Sequence, residues 1–190
     1  DSRAMRRPTA SPRLAVLIGA PLLLLAACRK APDAIRAPPG TPVILISIDT
    51  LRADHVPAYG YRAIETPAID ALRRDGILYT HAYSHTPLTL PSHTSIMTGV
   101  LPGVHGVRDN VGYTIDAARV DRHELPFLPR ILKDKGYATG AGVSAFVLQG
   151  KTGMAQAFDL YDDTIEFRAG TGLGGLQRPG GETLHAVLPW

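Results

Sequence analysis

The chain has 190 residues, of which 45% are apolar, and its formal net charge is +3. This length suits one domain of ordinary size, and the apolar share is enough for a globular core. Arginines in the first dozen residues supply part of the charge, and no later segment combines a basic stripe with interleaved aromatic residues, so the sequence argues against a nucleic-acid-binding surface.

The N-terminal segment has the pattern of a bacterial lipoprotein signal peptide. Basic residues surround Met5, and the apolar run 14–27 follows them. This run is shorter than a membrane span and close in length to the apolar core of a signal peptide. It ends in LAAC at Cys28, the only cysteine, which predicts cleavage before Cys28 and lipidation of its thiol. An ordinary secretory signal followed by an incidental cysteine is the alternative.

The sequence therefore predicts three parts. Residues 1–27 form the signal peptide, residues 28–40 form a proline- and alanine-rich flexible tether, and residues 41–190 form the folded part. The expected location is the bacterial cell envelope, where the domain faces the periplasm and is anchored to a membrane through lipidated Cys28.

Strand and helix patterns alternate along the folded part. The run VILISI at 43–48 predicts a strand buried on both faces. The stretch 65–76 predicts a helix that Thr66 caps and Gly76 ends. The later elements are a short strand at 77–83, a helix from about Pro91 to Thr98, a helix at 125–136, a strand at 137–143, an edge strand or turn at 158–163, a glycine-rich loop at 168–181 and an interrupted helix within 182–190. This order predicts an α/β domain with a mainly parallel sheet and flanking helices, incomplete at the C-terminus.

Asp49 follows the first predicted strand directly. In open α/β sheets the ligand crevice lies beyond the carboxyl ends of the strands. A carboxylate at this point is well placed to bind a divalent cation, which prefers oxygen ligands. A turn or helix-capping aspartate is the alternative.

Thr89 precedes the helix that Pro91 helps to start. A helix N-terminus offers unpaired N–H groups and partial positive charge, which stabilise an anionic oxygen or bind sulfate and phosphate. A threonine hydroxyl still needs a base or a metal ion to become a nucleophile. A simple capping role for Thr89 is the alternative.

Five motifs in series resemble the N-terminal half of the sulfatase family, in the alkaline phosphatase superfamily. They run in order from about residue 41 to residue 163: VILISIDTLRADHVPAYGY (43–61), TPAIDAL (66–72), TLPSHTSIMTG (89–99), PGVHGVRDN (102–110) and FDLYDD (158–163). The resemblance implies an alkaline phosphatase-like fold. It also implies that Asp49 is a metal ligand and that Thr89 is both the catalytic nucleophile and a second metal ligand.

The chain departs from the usual sulfatase pattern at several positions. Sulfatases usually carry C/S-x-P-S-R, whose first residue is converted to formylglycine, whereas this chain has Thr89, which cannot be converted, and His93 in place of the arginine. Thr50 replaces the second aspartate of the usual pair. The stretch GVSAF at 142–146 lacks the lysine and histidine of the common G-K-x-H motif.

The polar residues of the stretch 89–110 resemble those of nucleotide pyrophosphatase/phosphodiesterases, which have a threonine nucleophile in T-x-P-N-H. That resemblance implies that Asn110 donates to the oxygens of the substrate, although a turn role is equally open. His93 could contact substrate or only pack. We expect a structural role for His105, and loop hydrogen bonding for Asp54 and His55.

Two hypotheses follow. The first is a metal-dependent hydrolase of sulfate esters, or of phosphate esters and diesters, for which this chain supplies the N-terminal part; its cofactor would be calcium, typical of sulfatases, or zinc, typical of the phosphodiesterases. The second is a truncated, lipid-anchored sulfatase-like domain without turnover, because Asp49 and Thr89 alone are too few ligands and no further ligand set follows residue 163.

Overall fold

The computed structural model describes residues 37–166 and 175–190, so the predicted signal peptide, Cys28 and most of the tether lie outside the described residues. The chain divides into two units, Asp1–Val43 and Ile44–Trp190. In the first unit, the hydroxyl of Thr41 donates to the carbonyl oxygen of Pro38 at 2.7 Å and closes a turn. None of the helices in the described ranges has the length and apolarity that crossing a membrane requires.

Short helices dominate the second unit. In chain order, its α-helices and strands are α1 (Pro67–Asp75), α2 (Thr89–Thr98), α3 (Pro102–His105), α4 (Ala117–Asp121), α5 (Leu128–Asp134), β1 (Gly140–Gly142), β2 (Leu160–Asp162) and α6 (Gly180–Val187). Single 3-10 turns lie at Ala53–His55, Pro57–Tyr59, Phe146–Leu148 and Gly150–Thr152.

The predicted helices are present with shifted boundaries. Helix α1 begins at Pro67, as expected, but Thr66 does not cap its backbone, since its hydroxyl points instead to the Asp70 carboxylate at 3.4 Å. Helix α2 begins at Thr89 rather than near Pro91. Thr89 is therefore the first residue of the helix, and Pro91 is tolerated because the first turn has no internal acceptor for its missing N–H.

The strand prediction was wrong at the start of the domain. Residues 43–48 and 77–83 are extended or irregular and form no strand in the described part of the chain. Ile44 is 82% exposed and Ile46 is 73% exposed. A β-strand needs the backbone of a neighbouring strand as its hydrogen-bond partner, and no described strand lies beside either run.

The sheet among the described residues has two parallel strands. Gly140 of β1 is paired with Leu160 of β2, so both the predicted strand at 137–143 and the candidate at 158–163 are present in shortened form. Helix α6 covers β1 closely, since a Cβ on Gly142 would lie 2.7 Å from the side chain of Val187. This is a small parallel sheet with helices, consistent with the predicted α/β class. Residues 168–174 of the predicted glycine-rich loop lie outside the described residues.

The core lies between α2 and the segments that follow it. Leu90, at the start of α2, is completely buried, and Phe127, which precedes α5, is 1% exposed. They belong to one apolar cluster together with Val107, Ile115, Val120, Leu125, Leu148 and Met154. Because Leu90 is anchored in this cluster, the neighbouring Thr89 has a fixed position at the edge of the core.

Candidate active site

The structure brings together two residues that the sequence separates by 40 positions. The hydroxyl Oγ1 of Thr89 donates to Oδ2 of Asp49 at 3.0 Å. Thr89 is half-buried at the first turn of α2, whereas Asp49 is exposed on the loop after residues 43–48. A hydroxyl that donates to a carboxylate is directed toward a proton acceptor, which is the arrangement a nucleophilic threonine needs.

Asn110 lies at the same helix start. Its Oδ1 accepts a hydrogen bond from the backbone N–H of Leu90 at 2.9 Å. Since that N–H can only donate, the atom facing it is the amide oxygen, and the Nδ2 group of Asn110 remains a donor. One N–H group at this helix start, that of Leu90, is thus already paired, and the Nδ2 group of Asn110 is a further donor at the same helix start.

Ser47 is a member of the site that sequence reasoning missed. The Nε2 atom of His93 lies 2.9 Å from Oγ of Ser47, and its Nδ1 lies 2.8 Å from the backbone carbonyl oxygen of Thr89. The carbonyl can only accept, so Nδ1 carries the proton and Nε2 accepts from the Ser47 hydroxyl. His93 therefore ties the segment before Asp49 to the backbone of Thr89.

The only sequence signal for Ser47 is its position within the apolar run 43–48. Ser47 is the single polar side chain within an apolar run, two residues before Asp49. A hydroxyl on such a run requires a partner if the run is buried, but the sequence does not say which partner.

His105 has the structural role expected for it. It is 3% exposed, its Nδ1 accepts from the backbone N–H of Val107 at 3.1 Å, and its Nε2 lies 3.0 Å from Oγ of Ser95. Because Nδ1 is the acceptor, Nε2 carries the proton and donates to Ser95. Burial lowers the pKa of His105 below its ordinary value, because the charged imidazolium would lose its contact with water.

Of the two loop residues near Asp49, Asp54 forms the expected hydrogen bonds, whereas the side chain of His55 makes a ring contact instead. The guanidinium of Arg52 donates twice to the carboxylate of Asp54, at 2.9 and 2.6 Å, and this hydrogen bonding lowers the pKa of Asp54. The ring of His55 packs against that of Tyr61 with centroids 4.9 Å apart. Among the described residues, no contact joins the side chain of Asp54 or of His55 to Thr89.

Thr50 has an unusual backbone conformation beside the site. Its φ angle is +57°, in the left-handed region. This region is costly for a β-branched residue, whereas glycine, asparagine and aspartate enter it more easily. The strained residue lies directly after Asp49 and is the position at which many sulfatases have a second aspartate.

The residues present fit a metal ion only in part. The oxygens of Asp49 and Thr89 suit a hard or borderline divalent cation, but two ligands are fewer than the four to eight such ions require. Across residues 37–166 and 175–190, no group of three or more His, Cys, Asp and Glu side chains could hold a metal ion. The described residues therefore do not complete a metal site.

Comparison with known proteins defines the class. The sulfatase family model matches residues 41–167, the region that contains Asp49, Thr89, His93 and Asn110. The chain belongs to the sulfatase family, whose members are generally metal-dependent.

Several sulfatases are similar to part of this chain. The chain is 31% identical to the steryl-sulfatase of Rattus norvegicus over 112 residues, which are 56% of this chain and 19% of that protein. It is 35% identical to a sulfatase of Formosa agariphila over 100 residues, or 50% of this chain and 19% of that protein. It is 35% identical to an arylsulfatase of Clostridium perfringens over 71 residues, or 37% of this chain and 14% of that protein. The chain thus spans a fifth or less of the length of these relatives. No solved structure matches it.

Proposed function

We propose that the protein acts as a hydrolase of sulfate esters in which Thr89 is the attacking group. The observation that carries this proposal is the hydrogen bond of 3.0 Å from the Thr89 hydroxyl to Asp49, in a chain of the sulfatase family. The curated relatives named above are sulfatases, which supports a sulfate ester as the substrate class.

The proposed first step transfers the sulfuryl group to the protein. The Thr89 oxygen attacks the sulfur atom while its proton passes to the Asp49 carboxylate, and the bond from sulfur to the leaving-group oxygen breaks. The departing oxygen takes a proton from water. The amide Nδ2 of Asn110 donates to a sulfuryl oxygen on which negative charge increases, which stabilises the transition state.

The second step regenerates the hydroxyl. Water attacks the sulfur atom of the threonine sulfate ester, the bond from sulfur to the Thr89 oxygen breaks, and that oxygen regains a proton from Asp49. The attacking water releases its two protons to solvent, where one neutralises the hydroxide left by the first step, and the sulfuryl group leaves as sulfate. His93 is assigned to the site as the residue that holds the Thr89 backbone, through its bonds to Ser47 and to the Thr89 carbonyl.

A phosphate ester or diester is the second candidate substrate. It is favoured by the nucleophile itself, since Thr89 stands where sulfatases usually carry the residue converted to formylglycine, and threonine retains a hydroxyl there. Attack of that hydroxyl on phosphorus would use the same Asp49 and Asn110 contacts.

The cofactor and the location are further parts of the proposal. Asp49 and Thr89 are proposed as two ligands of a divalent cation, calcium or zinc, and no step above depends on it. Cys28 is proposed as the lipidated residue that attaches the protein to a membrane of the bacterial cell envelope. Growth with a radiolabelled fatty acid, comparing the wild type with Cys28→Ser, tests the anchor: label that persists in the variant would refute it.

The decisive experiment compares two substrates and four proteins, the wild type and three variants. The full chain is assayed with 4-nitrophenyl sulfate and with bis(4-nitrophenyl) phosphate, in the presence of calcium or zinc. Thr89→Ala should lose activity by at least about a thousandfold, whereas Thr89→Ser should retain most of it because the hydroxyl remains. The control Thr80→Ala alters an exposed threonine whose hydroxyl bonds to His81, and it should be unaffected. Activity that survives in Thr89→Ala would refute the nucleophile, and absence of turnover on both substrates would favour the non-catalytic alternative.

A further inference from the structure

A groove of about 280 Å³ lies beside the candidate active site. One wall is the segment that starts at Asn110 and includes Tyr113, and the other is formed by Phe146 and Lys151 with their neighbours. The walls are joined by a hydrogen bond of 2.8 Å from the N–H of Ile115 to the carbonyl oxygen of Thr152. This volume is just below that of pockets for drug-sized ligands, so the groove has room for a single ring-sized group.

Asn110 connects the groove to the reacting threonine. It lines the groove and also accepts the hydrogen bond from Leu90, the residue next to Thr89. A molecule whose ester lies at Thr89 can therefore extend past Asn110 into the groove. The part of the substrate that would occupy it is the part that is not transferred.

The charge of the groove favours an anion. Its lining contains Lys151 and no Asp or Glu. The Lys151 ammonium lies 4.0 Å from the centre of the Phe146 ring, which places the charge over the aromatic wall. Within the described residues, no carboxylate forms an ion pair with Lys151, unlike Lys133, which pairs with Asp159 at 2.5 Å.

We propose that this groove binds an anionic substituent of the substrate, a carboxylate or a second sulfate carried close to the ester that is cleaved. The inference rests on the proposed function, and it defines the substrate class as sulfate esters with at least two negative charges. Phe146 and Tyr113 contact the ring that carries the substituent, and Lys151 contacts the charge.

The kinetic test uses a matched pair of substrates, 4-nitrophenyl sulfate and the same ester with a carboxylate on its ring. The wild type should show a higher kcat/KM for the carboxylated ester. Lys151→Gln should reduce this preference about threefold to fivefold, mainly through KM, since an exposed ion pair contributes modestly to binding. The preference should also weaken in 0.5 M salt, where charges are screened within about 4 Å. Lys135→Gln, which alters an exposed lysine outside the groove, is the control.

A binding test separates this inference from the proposed function. Calorimetric titration compares 4-sulfobenzoate, which has two negative charges, with benzenesulfonate, which has one. Tighter binding of the dianion by the wild type, lost in Lys151→Gln and retained in Lys135→Gln, supports the groove even if no ester is hydrolysed. Equal affinity for the two anions, or a preference that Lys151→Gln leaves unchanged, would overturn the inference.

Discussion

Asn110 combines two roles that belong to different atoms of one side chain. Its oxygen pairs with the Leu90 N–H, and its nitrogen is the donor assigned to the substrate. The two roles can be separated because aspartate has the same shape and keeps the oxygen but lacks the N–H₂ group. Asparagine at this position supplies a helix cap from a distant loop, and in the proposed mechanism it also supplies the donor to the substrate.

We expect Asn110→Asp and Asn110→Ala to differ in stability but not in activity. The aspartate still accepts from Leu90 and suits the positive end of the helix, so stability should be retained, whereas alanine should lose about 1 kcal/mol. Both variants should lose about a hundredfold in kcat, because the donor is gone. Urea unfolding and steady-state kinetics measure the two effects, and full activity in Asn110→Asp would disprove the donor role.

Ser47 is expected to act through His93. Removing its hydroxyl in Ser47→Ala leaves the His93 ring without one of its two fixed contacts, so kcat should fall about tenfold while KM changes little. In a His93→Ala background the same substitution should have no further effect, since the two residues act as one unit.

The control for this cycle is Ser84→Ala. Ser84 is exposed like Ser47, but its hydroxyl bonds to Thr86 and Ser92 rather than to His93. If Ser47→Ala and His93→Ala lower kcat additively, the positioning role is wrong.

At the scale of elements, α2 and α3 are held together by the buried His105. Its folded-state pKa is lowered, so the unfolded chain binds a proton that the folded chain does not between that value and about 6.5. Stability is therefore complete above about pH 6.5 and falls as the pH falls below it. Thermal unfolding between pH 7.5 and 5 should therefore show an unfolding temperature that falls as the pH falls.

The dependence of the unfolding temperature on pH should be weaker in His105→Gln, because glutamine can form hydrogen bonds but does not titrate. His81→Gln, which alters an exposed histidine, should retain the dependence of the wild type. An equal dependence in wild type and His105→Gln would assign the pH effect to other groups.

The sequence predicts the helices better than the strands for a physical reason. Helix signals are local: Pro67 and Gly76 bracket α1, and Gly99, with φ of +68°, ends α2. A strand also needs a partner distant in sequence, so the apolar run 43–48 carries strand propensity without forming a strand among the described residues.

In the candidate site, too, residues marked by local or family motifs could be predicted, whereas residues that depend on long-range contacts could not. Thr89 could be selected because a local helix signal comes directly after it. Asp49 is selected through a predicted strand at 43–48 that the described residues do not form, so its selection rests on the family motifs. Ser47 could not be selected, because its importance rests on a contact with His93 across 46 positions. The groove around Lys151 likewise depends on two loops whose proximity no local pattern encodes.

At the scale of the whole molecule, Arg178 connects the C-terminal helix to the sheet. Its guanidinium pairs with the Asp162 carboxylate and donates to the carbonyl oxygens of Asp162 and Thr164, while its Nε donates to Thr183 on α6 at 2.9 Å. The Arg178 side chain is only 7% exposed. It is thus a nearly buried charge whose partners come from β2, from the loop after it and from α6.

Arg178→Ala should therefore destabilise the protein by about 3 kcal/mol, because it leaves the Asp162 carboxylate and two carbonyl groups without their partner. Arg122→Ala removes an ion pair with Glu124, but both side chains are more than half exposed, so its effect should be small. Chemical unfolding of the two variants measures the contrast. Equal losses would show that Arg178 does not link α6 to the sheet.

The left-handed backbone at Thr50 makes this position a target for engineering. Aspartate accommodates φ of +57° more readily than threonine, so Thr50→Asp should relieve strain and add a second carboxylate beside Asp49. This single substitution should then raise both the free energy of unfolding and the affinity for calcium. Most added acidic groups instead lower stability through charge repulsion. Calorimetric titration with calcium and thermal unfolding of Thr50→Asp, compared with Thr50→Asn, would measure the two gains separately, because asparagine relieves the strain without adding charge. The strained position in this loop would thus be the one at which a new metal-binding carboxylate lowers stability least.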